Sequence, residues 1–203
     1  MAGNDWGIIM QRTETVSDPA EQLILVDSDD RDVGVMPKWD CHRGEGVLHR
    51  AFSIFVFNSA GEVLLQQRSQ EKPLWPLFWS NACCSHPRSG EDVETALQRR
   101  LREELGIQCP LTYLYKFEYQ AFYGDVGAEH ELCSVYVGQH DGPFDPNNSE
   151  LADLRFFGRT ELGERLRQHP AEFTPWFRME WQRIDQALAR SDGNVGMLRS
   201  SNV

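Results

Sequence analysis

The sequence of 203 residues predicts an α/β (α+β) fold, one domain built as a mixed β-sheet sandwich with flanking helices. Three observations carry this. Short runs rich in β-branched and aromatic residues recur along the chain, at 49–57, 113–122 and 131–137. Between them stands one strong helical stripe, Val93, Leu97, Leu101 and Leu105, repeating every fourth residue and bracketed by Gly90 and Gly106. The hydrophobic content of 40% and charged content of 25% are those of an ordinary globular domain, and the length suffices for a real core.

Taken in order, residues 1–20 are rich in Gly, Asp, Thr and Ser and predict a flexible lead-in, without the basic-then-apolar pattern of an export signal. The apolar run 22–27 predicts a strand, Asp29-Asp30 a turn, and 33–36 the partner strand. Pro37 ends that pairing, and 38–46 is a polar connection carrying His42. Residues 49–57 predict a long strand that turns at 58–61 and returns over 63–67. Pro73 and Pro76 make 69–78 a loop, followed by an extended segment through Cys84 and His86. The central helix spans 91–106, with Gly106 as its stop. Strands follow at 113–122, 131–137 and 154–157, with a proline-containing loop over 138–149 before the last. Helices follow at 161–168 and 176–189, then a disordered tail. The domain therefore spans 21–190, with the lead-in at 1–20 and the tail at 191–203.

A net charge of −11 excludes broad nucleic-acid or membrane-binding surfaces, which need a basic footprint. It leaves room for a small anionic substrate held by a local cation cluster. No apolar run approaches the roughly 20 residues of a membrane helix. Five cysteines without paired spacing suggest no disulfide framework, and with no export signal the expected location is a reducing cytoplasm. A monomer or small homo-oligomer is expected.

Several side chains carry possible chemistry. Cys84 and His86 stand two apart, so an extended backbone presents both to one side and turns Cys83 to the other. On the helix, Glu104 lies roughly 60° from Leu101, at the border of the buried stripe. Arg100 shares that flank one turn back, and Glu103 points to solvent. These charges alone fit a capped amphipathic helix with a solvated face, with Arg100 and Glu104 as an i,i+4 pair. His42 and His49 frame the start of a strand, while Glu129 and Glu131 share one face of another. With His86 they form a mixed nitrogen and oxygen donor set suited to an octahedral Mg, Mn, Zn or Fe ion.

The run Ser85-x5-Glu91-x7-Arg99-Arg100-Leu101-x-Glu103-Glu104-x-Gly106-Ile107 resembles the Nudix box, G-x5-E-x7-R-E-U-x-E-E-x-G-U, where U is bulky and aliphatic. It departs at Ser85, which replaces a Gly, and at Arg100, which replaces a Glu of the water-activating carboxylate cluster. The second departure counts against phosphoanhydride hydrolysis but not against the fold. The flanking Asn81-Ala-Cys-Cys-Ser-His-Pro87 resembles the N-x-x-C-x-H-P segment of type I isopentenyl diphosphate isomerases, which carry such a degenerate box on a Nudix-type sandwich.

This resemblance implies an isomerase that moves a double bond between isopentenyl and dimethylallyl diphosphate by protonation and deprotonation through a carbocation. It implies a divalent ion, Mn2+, Mg2+ or Zn2+, on His42, His49, His86, Glu129 and Glu131. It also implies a Mg2+ at Glu104 and the Cys84 carbonyl that bridges to the diphosphate. Lys38, Arg68, Lys72 and Arg100 match its diphosphate-binding positions, and Cys84, Glu131, Tyr119 and Trp176 its catalytic ones. Lys38 and Lys72 are two of only three lysines in the chain. The competing possibilities are a Nudix hydrolase of a nucleoside diphosphate derivative and a non-catalytic module stabilised by Zn at Cys84, His86 and two further ligands.

Overall fold

A computed structural model describes residues 12–199 and 203. In chain order its elements are β1 (Gln22–Val26), β2 (Asp32–Pro37), α1 (Lys38–Cys41), β3 (His49–Phe57), β4 (Val63–Arg68), β5 (Trp79–Asn81) and β6 (Cys83–Ser85). Then come α2 (Val93–Leu105), β7 (Leu111–Tyr123), β8 (Gly127–Gln139), β9 (Leu151–Phe157), α3 (Arg159–Gln168) and α4 (Pro175–Arg190).

β3 is the strand on which the others converge, because nearly every residue of its aromatic and β-branched run is buried. It runs parallel to β8 along its whole length, from His49 opposite Glu131 to Phe57 opposite Gln139. Its opposite edge is shared by β1 at His49, β6 at Phe52–Ile54 and β4 at Val56–Phe57, all antiparallel. β7 completes a long antiparallel hairpin with β8, and β9 pairs with β4.

Alternation along β3 divides the core in two. Phe52, Ile54 and Val56 face α2 and pack with Leu97, Leu101 and Leu105. Ala51, Phe55 and Phe57 face α4, where Phe55, Phe177 and Trp181 stack with centroids 6.0 to 6.4 Å apart. Leu97, Leu101 and Leu105 are fully buried, each stabilising the fold by roughly 2 kcal/mol. The same alternation places Cys83 on the α2 side and Cys84 on the α4 side of β6.

The structure refines several boundaries. α2 starts at Val93, two residues after the expected Glu91, because the Asp92 carboxylate accepts the Thr95 N–H at 2.9 Å and caps it. Glu91 instead accepts from Arg99 Nε at 2.7 Å. Gly106 ends the helix in the left-handed region, φ 70°, where a Cβ would lie 2.6 Å from that of Asp145. The connection expected over 38–46 contains the single helical turn α1, and the extended segment around Cys84 is two short strands separated at Ala82. β8 begins at Gly127, so Glu129 and Glu131 both lie within a strand.

Parts of the segments expected to be a flexible lead-in and a disordered tail contact the domain. Arg12 bridges to Asn147, and the Glu14 carbonyl accepts from Asn147 Nδ2 at 2.8 Å. Beyond α4, Val195 and Leu198 are buried among the α4-side core residues. Residues 1–11 and 200–202 lie outside the described residues.

One core residue is out of place by polarity. Glu180 of α4 is fully buried, with Cys133 Sγ donating to Oε1 at 3.6 Å and Oε2 without a partner. Burial pushes its carboxyl up to about 8, against about 4.3 in an unfolded chain. The folded protein therefore keeps this proton after the unfolded chain has released it, and stability should fall as pH rises from roughly 4.5 to 8. Glu180→Gln should flatten that slope in urea unfolding at pH 5 and pH 7.5; an unaltered slope would show that the buried carboxyl is not its source.

Candidate active site

Three imidazoles and two carboxylates meet where β3 and β8 begin. His49 stands opposite Glu131 across the parallel pair, and Tyr119 of β7 stands opposite Glu131 on the other side. His86 follows β6, one residue after Ser85, which pairs with Phe52. His42, just after α1, is drawn in by the Ala128 N–H, which donates to its carbonyl at 2.9 Å. That approach requires glycine at 127, since a Cβ there would lie 2.3 Å from the His42 oxygen.

The donor atoms of His42, His49, His86, Glu129 and Glu131 all lie within 4.8 Å of one another, and all five residues are buried. His42 Nδ1 lies 2.6 Å from the Lys38 carbonyl and His49 Nδ1 lies 2.7 Å from that of Val47. A carbonyl only accepts, so both Nδ1 atoms carry a proton; His49 Nε2 then presents its lone pair to the cluster, while His42 Nε2 meets Glu129 Oε2 at 2.8 Å. His49 Nε2 and His86 Nδ1 are buried without a hydrogen-bond partner.

Burial holds His49 down to about 3 and, with the neighbouring His49 charge, holds His86 well below the usual range. Burial opposes a charge on His42 too, but Glu129 at 2.8 Å overrides it and raises His42. Burial also works against the Glu129 carboxylate, yet the His42 charge brings it down to about 2. Burial and then the Glu129 charge push Glu131 well up. The neutral imidazoles of His49 and His86, their orphaned nitrogens and the adjacent carboxylates are donors that a divalent cation satisfies.

Cys84 faces the same cavity as His86, Tyr119, Glu131 and Trp176. Its Sγ donates to Asn81 Oδ1 at 2.8 Å and accepts the Trp176 indole N–H at 3.2 Å. Burial, followed by the Glu180 charge, raises the thiol to about 12, so Cys84 is protonated at neutral pH. Tyr119 donates its hydroxyl to Glu131 Oε2 at 2.7 Å. The cavity thus contains a thiol oriented by Asn81 and a carboxyl oriented by Tyr119.

Lys38, Arg68, Lys72 and Arg100 line the same cavity. Burial, then the charges of Lys72 and Arg100, bring Lys38 down to about 8. Arg68 donates to the carbonyls of Leu74 and Trp75 at 2.8 and 3.0 Å, and its guanidinium lies 5.4 Å from the Trp176 ring centroid. Arg100 is buried with Glu104, its Nη2 lying 2.6 Å from Oε1, so the i,i+4 pair is an interior one rather than part of a solvated face. Glu103 does not point to solvent either: it is half-buried and accepts from Arg99 and Arg100 at 3.1 and 3.0 Å. Cys83 donates to Glu104 Oε1 at 3.3 Å, so it is more than the apolar filler its side of the strand implies.

The structure therefore brings all the sequence-predicted residues to one cavity or its immediate wall, with Glu104 behind Arg100 and Cys83. Sequence reading missed Asn81, Ser17 and Glu150. Asn81 stands inside a motif already noted, three residues before the thiol. Ser17 and Glu150 have no motif, and only tertiary structure places them beside Arg100, at 3.5 and 3.0 Å.

The NUDIX domain model matches residues 47–177. The chain is 45% identical to isopentenyl-diphosphate Delta-isomerase 1 of Photorhabdus laumondii, covering 82% of this chain and 96% of that protein. It is 43% identical to isopentenyl-diphosphate Delta-isomerase of Nocardia farcinica, covering 83% and 97%. Among solved structures it is similar to DR0079 from Deinococcus radiodurans, with 25% identity and a TM-score of 0.61 over 73% of this chain and 90% of that one. A MutT protein from Methanosarcina mazei, at 16% identity and a TM-score of 0.56, covers 68% of this chain and 93% of its own, and shows a common fold alone. With a NUDIX domain across most of its length and relatives of this kind matched over nearly their whole length, the chain belongs to the isopentenyl-diphosphate Delta-isomerase family.

Proposed function

We propose that this chain interconverts isopentenyl and dimethylallyl diphosphate, in the cytoplasm and as a monomer or small homo-oligomer. The observation that carries the proposal is a protonated thiol and a Tyr119-held carboxyl in one cavity with four converging cations. Two opposed proton carriers suit a 1,3 shift of a double bond. One gives a proton to the terminal alkene carbon, leaving a tertiary cation; the other takes a proton from the carbon on the far side of that centre. Cys84 and Glu131 fill these roles. The Trp176 ring, in the wall of the same cavity, can stabilise the developing charge, and Asn81 and Tyr119 orient the two carriers. Lys38, Arg68, Lys72 and Arg100 hold the diphosphate and fix the alkene between the carriers.

His42, His49, His86, Glu129 and Glu131 would hold one divalent ion, Mn2+, Mg2+ or Zn2+, and Glu104 would hold a Mg2+. These ions would supply positive charge that stabilises the Glu131 carboxylate and neutralises phosphate oxygens. Arg100, in place of a box carboxylate, weighs against hydrolysis of a nucleoside diphosphate derivative. Incubation with isopentenyl diphosphate and Mg2+ should give dimethylallyl diphosphate without phosphate release; release of phosphate or pyrophosphate without isomerisation would refute the proposal.

Chelation should abolish turnover, and added Mn2+ or Mg2+ should restore it. Turnover should also fall on the acid side, as the imidazoles bind metal only when neutral. Full activity in protein verified metal-free would remove the metal from the scheme.

The adjacent cysteines provide a sharper test. Cys84→Ala should lower kcat by roughly 10²–10⁴-fold with folding and bound metal intact. Cys83→Ala should cost about 1 kcal/mol of stability, through lost packing and the lost donor to Glu104, with turnover near normal. Measuring turnover, unfolding and metal content on both variants decides the matter, and the reverse pattern would overturn the assignment of Cys84.

A further inference from the structure

Lys72 and Arg100 come from separate elements, the loop after β4 and α2, and both are long and flexible. Something must aim them at a common point. The same holds for Ser17, which reaches the cavity from the N-terminal segment. One atom joins all three. Glu150 Oε2 accepts from Ser17 Oγ at 3.2 Å, from Arg100 Nη2 at 3.0 Å and from Lys72 Nζ. Glu150 is 2% exposed and is not itself part of the cavity lining. It stands behind the cations rather than in the space a ligand would fill.

The backbone around Glu150 ties together the same pieces. Its carbonyl accepts the Ser69 N–H at 3.0 Å, and the Ser69 carbonyl accepts that of Lys72 at 3.2 Å. Asn147 donates its N–H to the carbonyl of Glu104 at 2.8 Å and its Nδ2 to that of Glu14 at 2.8 Å. The loop just before β9 is therefore stitched to the turn carrying Lys72, to α2 one turn beyond Arg100, and to the segment carrying Ser17. Lys38 joins the same group, its Nζ 3.5 Å from Ser17 Oγ.

We infer that Glu150 is a positioning residue for the diphosphate site, gathering Ser17, Lys72 and Arg100 from behind so that their donors converge on one phosphate group, with the Ser17 hydroxyl a direct phosphate contact. This rests on the diphosphate-binding role proposed above. A buried carboxylate bonded to charged donors gives each a fixed direction, and hydrogen bonds to charged groups are the stronger ones. Without it the two cations keep their charge but lose their aim.

Inorganic pyrophosphate with Mg2+ tests this by calorimetric titration of the whole chain. Glu150→Gln should weaken pyrophosphate binding about tenfold or more and raise KM for isopentenyl diphosphate, with kcat and the metal content of the His and Glu cluster little changed. Ser17→Ala, which leaves the core untouched, should weaken binding several-fold alone and add little in the Glu150→Gln background, because the two act as one unit. Pyrophosphate binding by Glu150→Gln as tight as or tighter than wild type, or Ser17→Ala without effect, would overturn the inference while leaving the diphosphate site standing. Failure of the wild-type chain to bind pyrophosphate would overturn both.

Discussion

The parallel pairing of β3 with β8 sets His49 against Glu131, and the rest of the site depends on that register. A slip of one residue would turn Glu129 and Glu131 to the opposite face and leave the imidazoles without carboxylates. The same register continues inward as Ser53 opposite Val135 and Phe55 opposite Val137, so core packing and site geometry are held by one set of hydrogen bonds. β6 then joins the other edge of β3, with Cys84 beside Ser53, and this brings the thiol to the cavity side. Burying three imidazoles and two carboxylates together costs free energy unless a cation satisfies them. The long hydrophobic strand that bears them supplies the rigidity to tolerate that arrangement.

Arg100 gives the second half of the site its character. At the position where hydrolases of this fold place a carboxylate, this chain has a guanidinium buried against Glu104. The guanidinium joins the cations that line the cavity, while Glu104 stays buried behind it as the partner of Arg100, Cys83 and Gln66. The α2 helix that bears both is fixed by its Asp92 cap, its Gly106 stop and three buried leucines, so the guanidinium is held from a rigid element. One helix thus serves as a core stripe on one face and as a charge platform on its border.

Much of this was legible in the sequence, for identifiable reasons. β3, α2 and α4 follow from strong local patterning, and the alternation that separates Cys83 from Cys84 follows from strand geometry. The site residues were legible because spaced motifs place them on strands with known facing. What was not legible depends on contacts across the chain. Glu103 reads as solvated by helix rotation alone, yet Arg99 and Arg100 cover it. Residues 12–20 read as loose by composition, yet their carbonyls accept from Asn147 and Arg100. Glu180 sits on the apolar face of α4, where no period predicts a carboxyl, and Glu150 lies in a loop with no local signature.

We propose that the buried cluster of His42, His49, His86, Glu129 and Glu131 is a cation site that holds Glu131 in place beside the cavity. Anomalous diffraction from crystals grown with Mn2+ tests it most directly. A strong peak enclosed by those five side chains is expected, with the Tyr119 hydroxyl still on Glu131. A peak only at Glu104, or none with the five side chains arranged as here, would contradict it.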